Sequence, residues 1–197
     1  MPKFIAGTDN QGRDLFKYAF LGLRNSLIIA FIVSIINFTI GIIYGSIEGY
    51  FGGNVDLFME RITDILGYLP TIVILTLLMS KYGKTFGIFA LGLIFTGWLG
   101  IAGRTRTQFY RFKGREYVLA SRTLGASDVR LIFKHVLPNA IGTIVTMSVL
   151  IIPGVIFTES TLSYLGLGLE GTDSFGTILS ANQQFLILNM IMLIQWK

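Results

Sequence analysis

Twenty-two consecutive residues without a charged side chain, from 26 to 47, constrain the fold of this chain more than any other feature. A helix of that length rises roughly 33 Å, which is enough to cross the hydrocarbon core of a bilayer. Two further uncharged segments follow at 85–103 and 139–158. Only 14% of the 197 residues are charged, against ~25% in a typical soluble domain. The sequence therefore predicts an all-α, polytopic transmembrane protein.

The predicted transmembrane domain covers 26–197, with spans at about 26–47, 61–80, 85–103 and 139–158 and the start of another at about 185–197. We interpret residues 1–25 as an external or interfacial lead-in. Pro70 interrupts the second span, where it leaves a carbonyl without its donor and kinks the helix. Gly41, Gly45 and Gly49 recur every four residues. This spacing predicts close approach of another helix, although spans also tolerate glycine without such a contact.

A basic segment at 104–138 separates two of the uncharged segments. It holds eight of the sixteen Lys and Arg residues and only two acids. Because positive charge collects in cytoplasmic loops, this segment is predicted to be cytoplasmic, together with 48–61. Residues 1–25, 81–84 and 159–173 are then external. Nucleic acid is not an expected partner, because the net charge of +5 comes from this one segment. The predicted location is the cell (plasma or inner) membrane, with multiple passes.

No residue pattern indicates catalysis or a cofactor. The chain has no cysteine and a single histidine, which rules out thiol catalysis and multi-histidine metal sites. The GKT at 83–85 lacks the earlier glycine of a P-loop. The GxGxxG at 166–171 lies outside the strand-turn-helix setting that dinucleotide binding requires. We therefore expect no catalytic residues, no metal site and no cofactor bound by this chain.

The basic segment is predicted to contain two short helices. Residues 115–124 form the first, Gly125 ends it in a left-handed conformation, and Ser127 can cap the second. Pro138 is predicted to mark the boundary with the following span. Apolar side chains alternate with the arginines of these helices: Val118, Leu119, Leu124, Ile132 and Phe133. Such a pair could lie at the membrane interface or dock into a groove on a soluble partner, and the pattern favours neither.

The sequence GREYVLASRTLGASDVRLIFKHVLPN resembles the cytoplasmic loop of membrane subunits of ATP-binding cassette (ABC) importers. That motif has an EAA triplet, three residues, a glycine, nine residues and then I-x-L-P. Here Gly125 is the glycine, 135–138 (HVLP) closes the motif, and 119–121 (LAS) replaces the triplet without its acid. Histidine at the isoleucine position is common in the oligopeptide/dipeptide branch. The stretches GTDNQGRDLF, RNSLIIAF and ESTLSYLGLGL also fit that branch in the right order.

The resemblance implies an ABC importer type I permease-like fold with a cytoplasmic coupling helix between spans. It also implies a transport role: a path for di- or oligopeptides formed with a second homologous permease. The other implied partners are two cytoplasmic ABC ATPase subunits, an extracytoplasmic solute-binding protein and the lipid bilayer. ATP and Mg²⁺ would bind to the ATPase subunits. Family members begin with another span and end with a complete final one, so we expect the first and most of the last span to be absent here.

The resemblance assigns ATPase coupling to residues in and around the motif. These residues are Glu116, Tyr117, Leu119, Ala120, Ser121, Leu124, Gly125, Ala126, Ser127, His135, Leu137 and Pro138.

Two acids near the predicted spans, Asp64 and Glu159, are possible pathway residues, because ionisable groups within spans usually face protein or water. Asp64 can instead lie at the interface near a helix end, and Glu159 can end its helix at the external surface. Two other functions remain open: a stand-alone channel or pore, and the same class of transporter moving nickel or another small solute. A structural membrane scaffold is a third. No residue identifies the solute.

Overall fold

The computed structural model describes residues 12–169 and 174–183, and all regular secondary structure in these residues is helical. The α-helices are α1 Leu15–Phe51, α2 Gly53–Gly67, α3 Thr71–Tyr82, α4 Phe86–Gly97, α5 Leu99–Phe112, α6 Glu116–Thr123, α7 Asp128–Arg130, α8 Leu137–Ser148, α9 Ile151–Leu162 and α10 at 175–183. Two π-helical turns lie at Leu131–Val136 and Ser163–Leu167. Within these residues, three stretches are long and apolar enough to cross a membrane, Leu15–Phe51, Phe86–Phe112 and Asp128–Leu167, and the bent pair α2–α3 is a fourth if it counts as one span.

The first span is longer than predicted. Helix α1 has 37 residues, and Asp14 caps it by accepting a hydrogen bond from the Phe16 N–H at 3.0 Å. The proposed division between a lead-in and a span at residue 26 therefore falls inside one helix. No proline interrupts 15–51, and Ser26 lies within the helix, where its hydroxyl bonds to Glu159. Residues 1–11 and the predicted span start at 185–197 lie outside the described residues.

The predicted kink at Pro70 is confirmed, and it divides the second span into two helices. Helices α2 and α3 are bent by 72° with respect to each other. Pro70 occupies the position before the first residue of α3, where its missing N–H breaks no helical hydrogen bond. The next residue, Thr71, shares a hydrogen bond with Thr96 of α4 at 2.8 Å. This bond ties the broken span to its neighbour.

The glycine spacing in α1 corresponds to a close contact with α5, as predicted. A Cβ atom built on Gly41 would lie 2.6 Å from Cβ of Ile101, and one on Gly49 would lie 2.6 Å from Cβ of Phe109. At Gly45 it would collide with the carbonyl oxygen of Ala102. Bare glycine surfaces thus allow the two backbones to approach each other.

The helix that contains the predicted span at 139–158 begins before Pro138, because that proline does not interrupt it. Residues Asp128–Leu167 form one helical stretch of 40 residues. Pro138 lies in the first turn of α8, directly after the π-helical turn Leu131–Val136. A proline ring clashes with the carbonyl four residues earlier, and the wider π turn accommodates that clash. The second short helix of the basic segment is therefore continuous with the helix of that span.

The contacts between the loops show that these loops lie at two ends of the helical bundle. At one end, the α1–α2 turn lies against the basic segment, where Lys113 Nζ donates to the Gly49 carbonyl at 2.8 Å. At the other end, Lys84 Nζ donates to the Gly166 carbonyl at 3.2 Å. This grouping agrees with the predicted topology, which placed 48–61 with 104–138 and 81–84 with 159–173.

Candidate functional site

Helix α6 is a short helix that lies outside the spans at the basic end of the bundle. Glu116 is in its first turn, where the helix dipole stabilises a negative charge. Gly125 ends it with φ of 85°, as predicted, and the Ala126 N–H donates to the Ser121 carbonyl at 3.1 Å. Ser127 precedes α7 in extended backbone, but its side chain makes no capping hydrogen bond.

The inner face of α6 is fixed to the bundle by apolar packing. Val118 is only 1% exposed, and fully burying a valine contributes about 1.5–3 kcal/mol. The surrounding buried cluster contains Tyr50, Phe109, Leu131, Ile132 and Val136. Ala126 and Leu137 pack at its edge. Of the five apolar residues singled out from the sequence, Val118 and Ile132 are therefore core residues.

The outer surface of this region, defined here as Tyr117, Leu119, Leu124, Val129 and Phe133, is apolar and exposed. Leu124 is 89% exposed and Val129 66%. Arg115, Arg130 and Lys134 are exposed beside it. An apolar surface of this kind, rimmed by charge, is typical of a protein interaction site.

The two ends of the sequence motif meet beside α6. Ser121 Oγ lies 3.5 Å from Nδ1 of His135, and both residues are half-buried. The Asn139 side chain donates to the His135 carbonyl at 2.7 Å. Ala120 and Pro138 are exposed. The structure thus brings the 119–121 triplet next to the HVLP end of the motif, although Ser121 and His135 are 14 residues apart in sequence.

Tyr50, at the end of α1, joins α6 to the start of α7. Its hydroxyl donates to Oδ1 of Asp128 at 2.6 Å and accepts from Nη2 of Arg122 at 2.9 Å. This hydrogen bond to Tyr50 raises the pKa of the Arg122 guanidinium above its ordinary value. Lys113 Nζ also donates to the Tyr50 carbonyl at 3.3 Å, and burial lowers the pKa of that ammonium group. Sequence reasoning did not identify Tyr50.

Arg106 of α5 forms an ion cluster with α1 and α2. Its guanidinium donates to both carboxylate oxygens of Asp56 at 2.6 and 2.8 Å and to both of Glu60 at 2.7 and 3.0 Å. Glu48 Oε1 lies 3.5 Å from Nε. The Tyr110 hydroxyl donates to Asp56 at 2.6 Å. The i, i+4 spacings of Asp56 with Glu60 and of Arg106 with Tyr110 were visible in the sequence, but their pairing depends on the tertiary fold.

The two possible pathway residues occupy different environments. Asp64 is exposed on α2, 3.5 Å from Nη1 of Arg61. Glu159 is only 1% exposed, and it accepts hydrogen bonds from Ser26 Oγ at 2.7 Å and Ser163 Oγ at 2.8 Å. It does not end its helix, which continues to 162, and it also lines a small cavity with Asn25 and Phe86. Its carboxylate instead joins α9 to α1.

In the described part of the chain, no group of three His, Cys, Asp or Glu side chains is arranged to hold a metal ion. The Arg106 cluster contains three carboxylates, but the guanidinium occupies the space between those of Asp56 and Glu60. A cation is therefore already supplied by the protein at that position. The arrangement around α6 can bind a protein surface.

The chain is similar to membrane components of binding-protein-dependent transport systems. It is 43% identical over 175 residues to the oligopeptide transport system permease protein OppC of Bacillus subtilis (strain 168), covering 88% of this chain and 57% of OppC. It is 42% identical over 185 residues to the dipeptide transport system permease protein DppC of the same organism, covering 89% and 58%. The chain thus spans less than two thirds of the length of these relatives.

A solved structure shares the fold. A chain of the MetNI methionine ABC transporter, described in inward-facing conformations, aligns with a TM-score of 0.68 at 17% identity and covers 92% of this chain and 93% of that one. The expected type I importer permease fold is therefore confirmed. The family described as "Binding-protein-dependent transport system inner membrane component" matches residues 37–194, which include α6 and the whole motif. The chain belongs to this family, among the relatives of the peptide ABC permeases.

Proposed function

We propose that this chain is a permease subunit of an ATP-driven ABC importer in the cell membrane. With a second homologous permease it forms a translocation path for di- or oligopeptides. The observation that carries the proposal is the exposed outer surface on α6 and α7, with Leu124 89% exposed beside a left-handed glycine. The substrate class follows from the relatives, which are named as oligopeptide and dipeptide permeases.

The geometry of α6 favours docking to a soluble partner over lying in the membrane interface. An interfacial helix buries its apolar face in lipid. Here the inner face of α6 is already occupied by the cluster around Val118, and the apolar residues of the outer surface point away from it. A short helix that presents apolar side chains among cations suits a groove on another protein. The proposed owner of that groove is a cytoplasmic ABC ATPase subunit, one for each of the two permeases.

The motif residues then divide by role. Tyr117, Leu119 and Leu124 contact the ATPase, because their side chains are exposed. Gly125 sets the angle between α6 and α7, and Ser121 with His135 holds the two ends of the motif together. ATP and Mg²⁺ bind to the ATPase subunits, and this chain is a transport component that performs no catalysis itself. An extracytoplasmic solute-binding protein delivers the peptide. Asp64, exposed on the helix before the Pro70 break, is proposed to face the path.

The test is Leu124→Asp in the assembled transporter. Losing a hot-spot residue of an interface costs about 2 kcal/mol or more, and we expect Leu124 to be one, so ATPase affinity falls about 30-fold. ATP-driven uptake of a labelled dipeptide falls with it. Leu124→Met is the matched control, because it keeps an apolar side chain of similar size at the same position. Unchanged ATPase binding and uptake in the aspartate variant would refute the proposed docking surface.

The solute class has its own test. Uptake of a labelled dipeptide is measured in competition with other dipeptides and with Ni²⁺. A peptide importer shows competition by peptides alone. Competition by Ni²⁺ alone would favour a nickel transporter of the same class, and conduction by the permease pair without ATP would favour a channel.

A further inference from the structure

Tyr50 occupies the point where three parts of the chain meet. It lies in the last turn of α1, it is only 4% exposed, and its ring packs in the cluster under α6. Its single hydroxyl group bonds to Arg122 of α6 at 2.9 Å and to Asp128 of α7 at 2.6 Å. The guanidinium carbon of Arg122 also lies 5.5 Å from the centre of the Tyr50 ring. One oxygen atom therefore connects α6, the start of the last long span and the end of the first.

A second polar link continues from this end of α1 to α2. Lys113 Nζ bonds to the main-chain carbonyls of Gly49 and Tyr50 at the end of α1. Two residues before Tyr50, Glu48 lies 3.5 Å from Arg106, whose guanidinium also binds Asp56 and Glu60 of α2. Helix α2 leads through the Pro70 break to α3. The polar contacts thus form a continuous route from α6 to the broken span.

We propose that Tyr50 is a positioning residue that transmits displacement of α6 to α1 and, through the Arg106 cluster, to the broken span α2–α3. This inference rests on the proposed function, in which ATPase closure moves α6. The last long span receives the displacement directly, because α7 follows α6 after only four residues, 124–127. The first two spans have no such covalent continuity with α6, so they need a side-chain connection.

Hydrogen bonding suits this role better than the apolar packing beside it. The contact of Val118 with the buried cluster is non-directional, and such contacts permit one element to slide over another. The bonds of the Tyr50 hydroxyl are directional and weaken steeply when the geometry changes. A shift of α6 is therefore transmitted to α1 more fully while the hydroxyl is bonded to Arg122 and Asp128.

Tyr50→Phe in the assembled transporter tests the inference, because it removes the oxygen and keeps the ring. The readout is labelled tripeptide transported per ATP hydrolysed, which a loss of folded protein alone does not change. A typical coupling free energy between two sites corresponds to a factor of about five or more in the effect of one site on the other. We therefore expect the peptide transported per ATP hydrolysed to fall about five-fold or more while ATP hydrolysis continues. Thr39→Val is the control: it removes a hydroxyl of the same helix that bonds to the Ile35 carbonyl at 2.8 Å, within α1 itself. Its ratio stays native.

Asp128 supplies an independent arm if Tyr50→Phe prevents assembly. Its side chain is exposed, so truncation leaves no cavity. Asp128→Ala lowers the ratio as Tyr50→Phe does, whereas Asp128→Asn, which keeps an acceptor oxygen for the hydroxyl, restores most of it. A native ratio in both Tyr50→Phe and Asp128→Ala, in a complex that transports, overturns the inference. A native complex without ATP-driven peptide uptake overturns the proposed function itself.

Discussion

Gly45→Ala is expected to force α1 and α5 apart. The added methyl group collides with the carbonyl oxygen of Ala102 and would lie 2.8 Å from Cβ of Thr105. Neither atom belongs to the flexible end of a side chain, so the strain is relieved by movement of the backbone. Inserting a methyl group into a well-packed contact typically costs about 1–3 kcal/mol.

The magnitude is best obtained by comparison with Gly103→Ala on α5. A Cβ atom on Gly103 meets nothing within 4 Å. Both replacements gain about 1 kcal/mol of helix propensity, so this contribution cancels in the difference between the two variants. We expect Gly45→Ala to be less stable than Gly103→Ala by the overpacking energy alone, about 1–3 kcal/mol.

The assay is the free energy of unfolding of the permease, measured by denaturant titration in mixed micelles. Both variants and the native protein are compared in the same detergent. Equal stability of the two alanine variants would refute the reasoning, because it would mean that the α1–α5 contact is not as close as the glycine positions indicate.

Three further changes test other contacts. Glu159→Leu leaves the hydroxyls of Ser26 and Ser163 without an acceptor and costs about 1–3 kcal/mol of stability per hydroxyl. Glu159→Gln keeps an acceptor oxygen and costs less, and thermal unfolding of both variants measures the difference. Arg106→Ala leaves carboxylates unpaired and lowers the free energy of unfolding by about 3–5 kcal/mol, more than Arg106→Lys does. Equal unfolding midpoints for the two variants would contradict this prediction. Gly125→Ala forces an alanine to adopt φ of 85° and lowers the free energy of unfolding by about 1–2 kcal/mol. The control is Gly114→Ala, at a position with ordinary φ and open space.

The sequence was sufficient to predict the features that depend on local chemistry. Uncharged length predicted the spans, Pro70 the break, Gly125 the left-handed turn and the Gly41–Gly45–Gly49 spacing a close helix contact. Each depends on backbone geometry or on the residue's own shape. Such signals do not require knowledge of the partner.

Features that depend on tertiary pairing were not predictable in the same way. In the sequence Arg122 is one cation among many, yet it bonds to Tyr50, 72 residues earlier. Nothing in the sequence identifies a partner for Glu159, yet Ser26, 133 residues away, donates a hydrogen bond to it. The helix is not broken at Pro138, although proline normally marks a helix boundary, because a π turn accommodates its ring, and such a turn has no strong sequence signal.

The break at Pro70 also bears on how the chain enters the membrane. Helices α2 and α3 have 15 and 12 residues, so each rises only about 18–23 Å, less than the ~30 Å hydrocarbon core. Neither is long enough to remain inserted alone during synthesis, and the turn between them carries backbone groups that lipid cannot satisfy. We expect this pair to settle in the bilayer only after α4 has been made, when Thr96 becomes available to Thr71. The order of translation would then determine when the second span becomes stable.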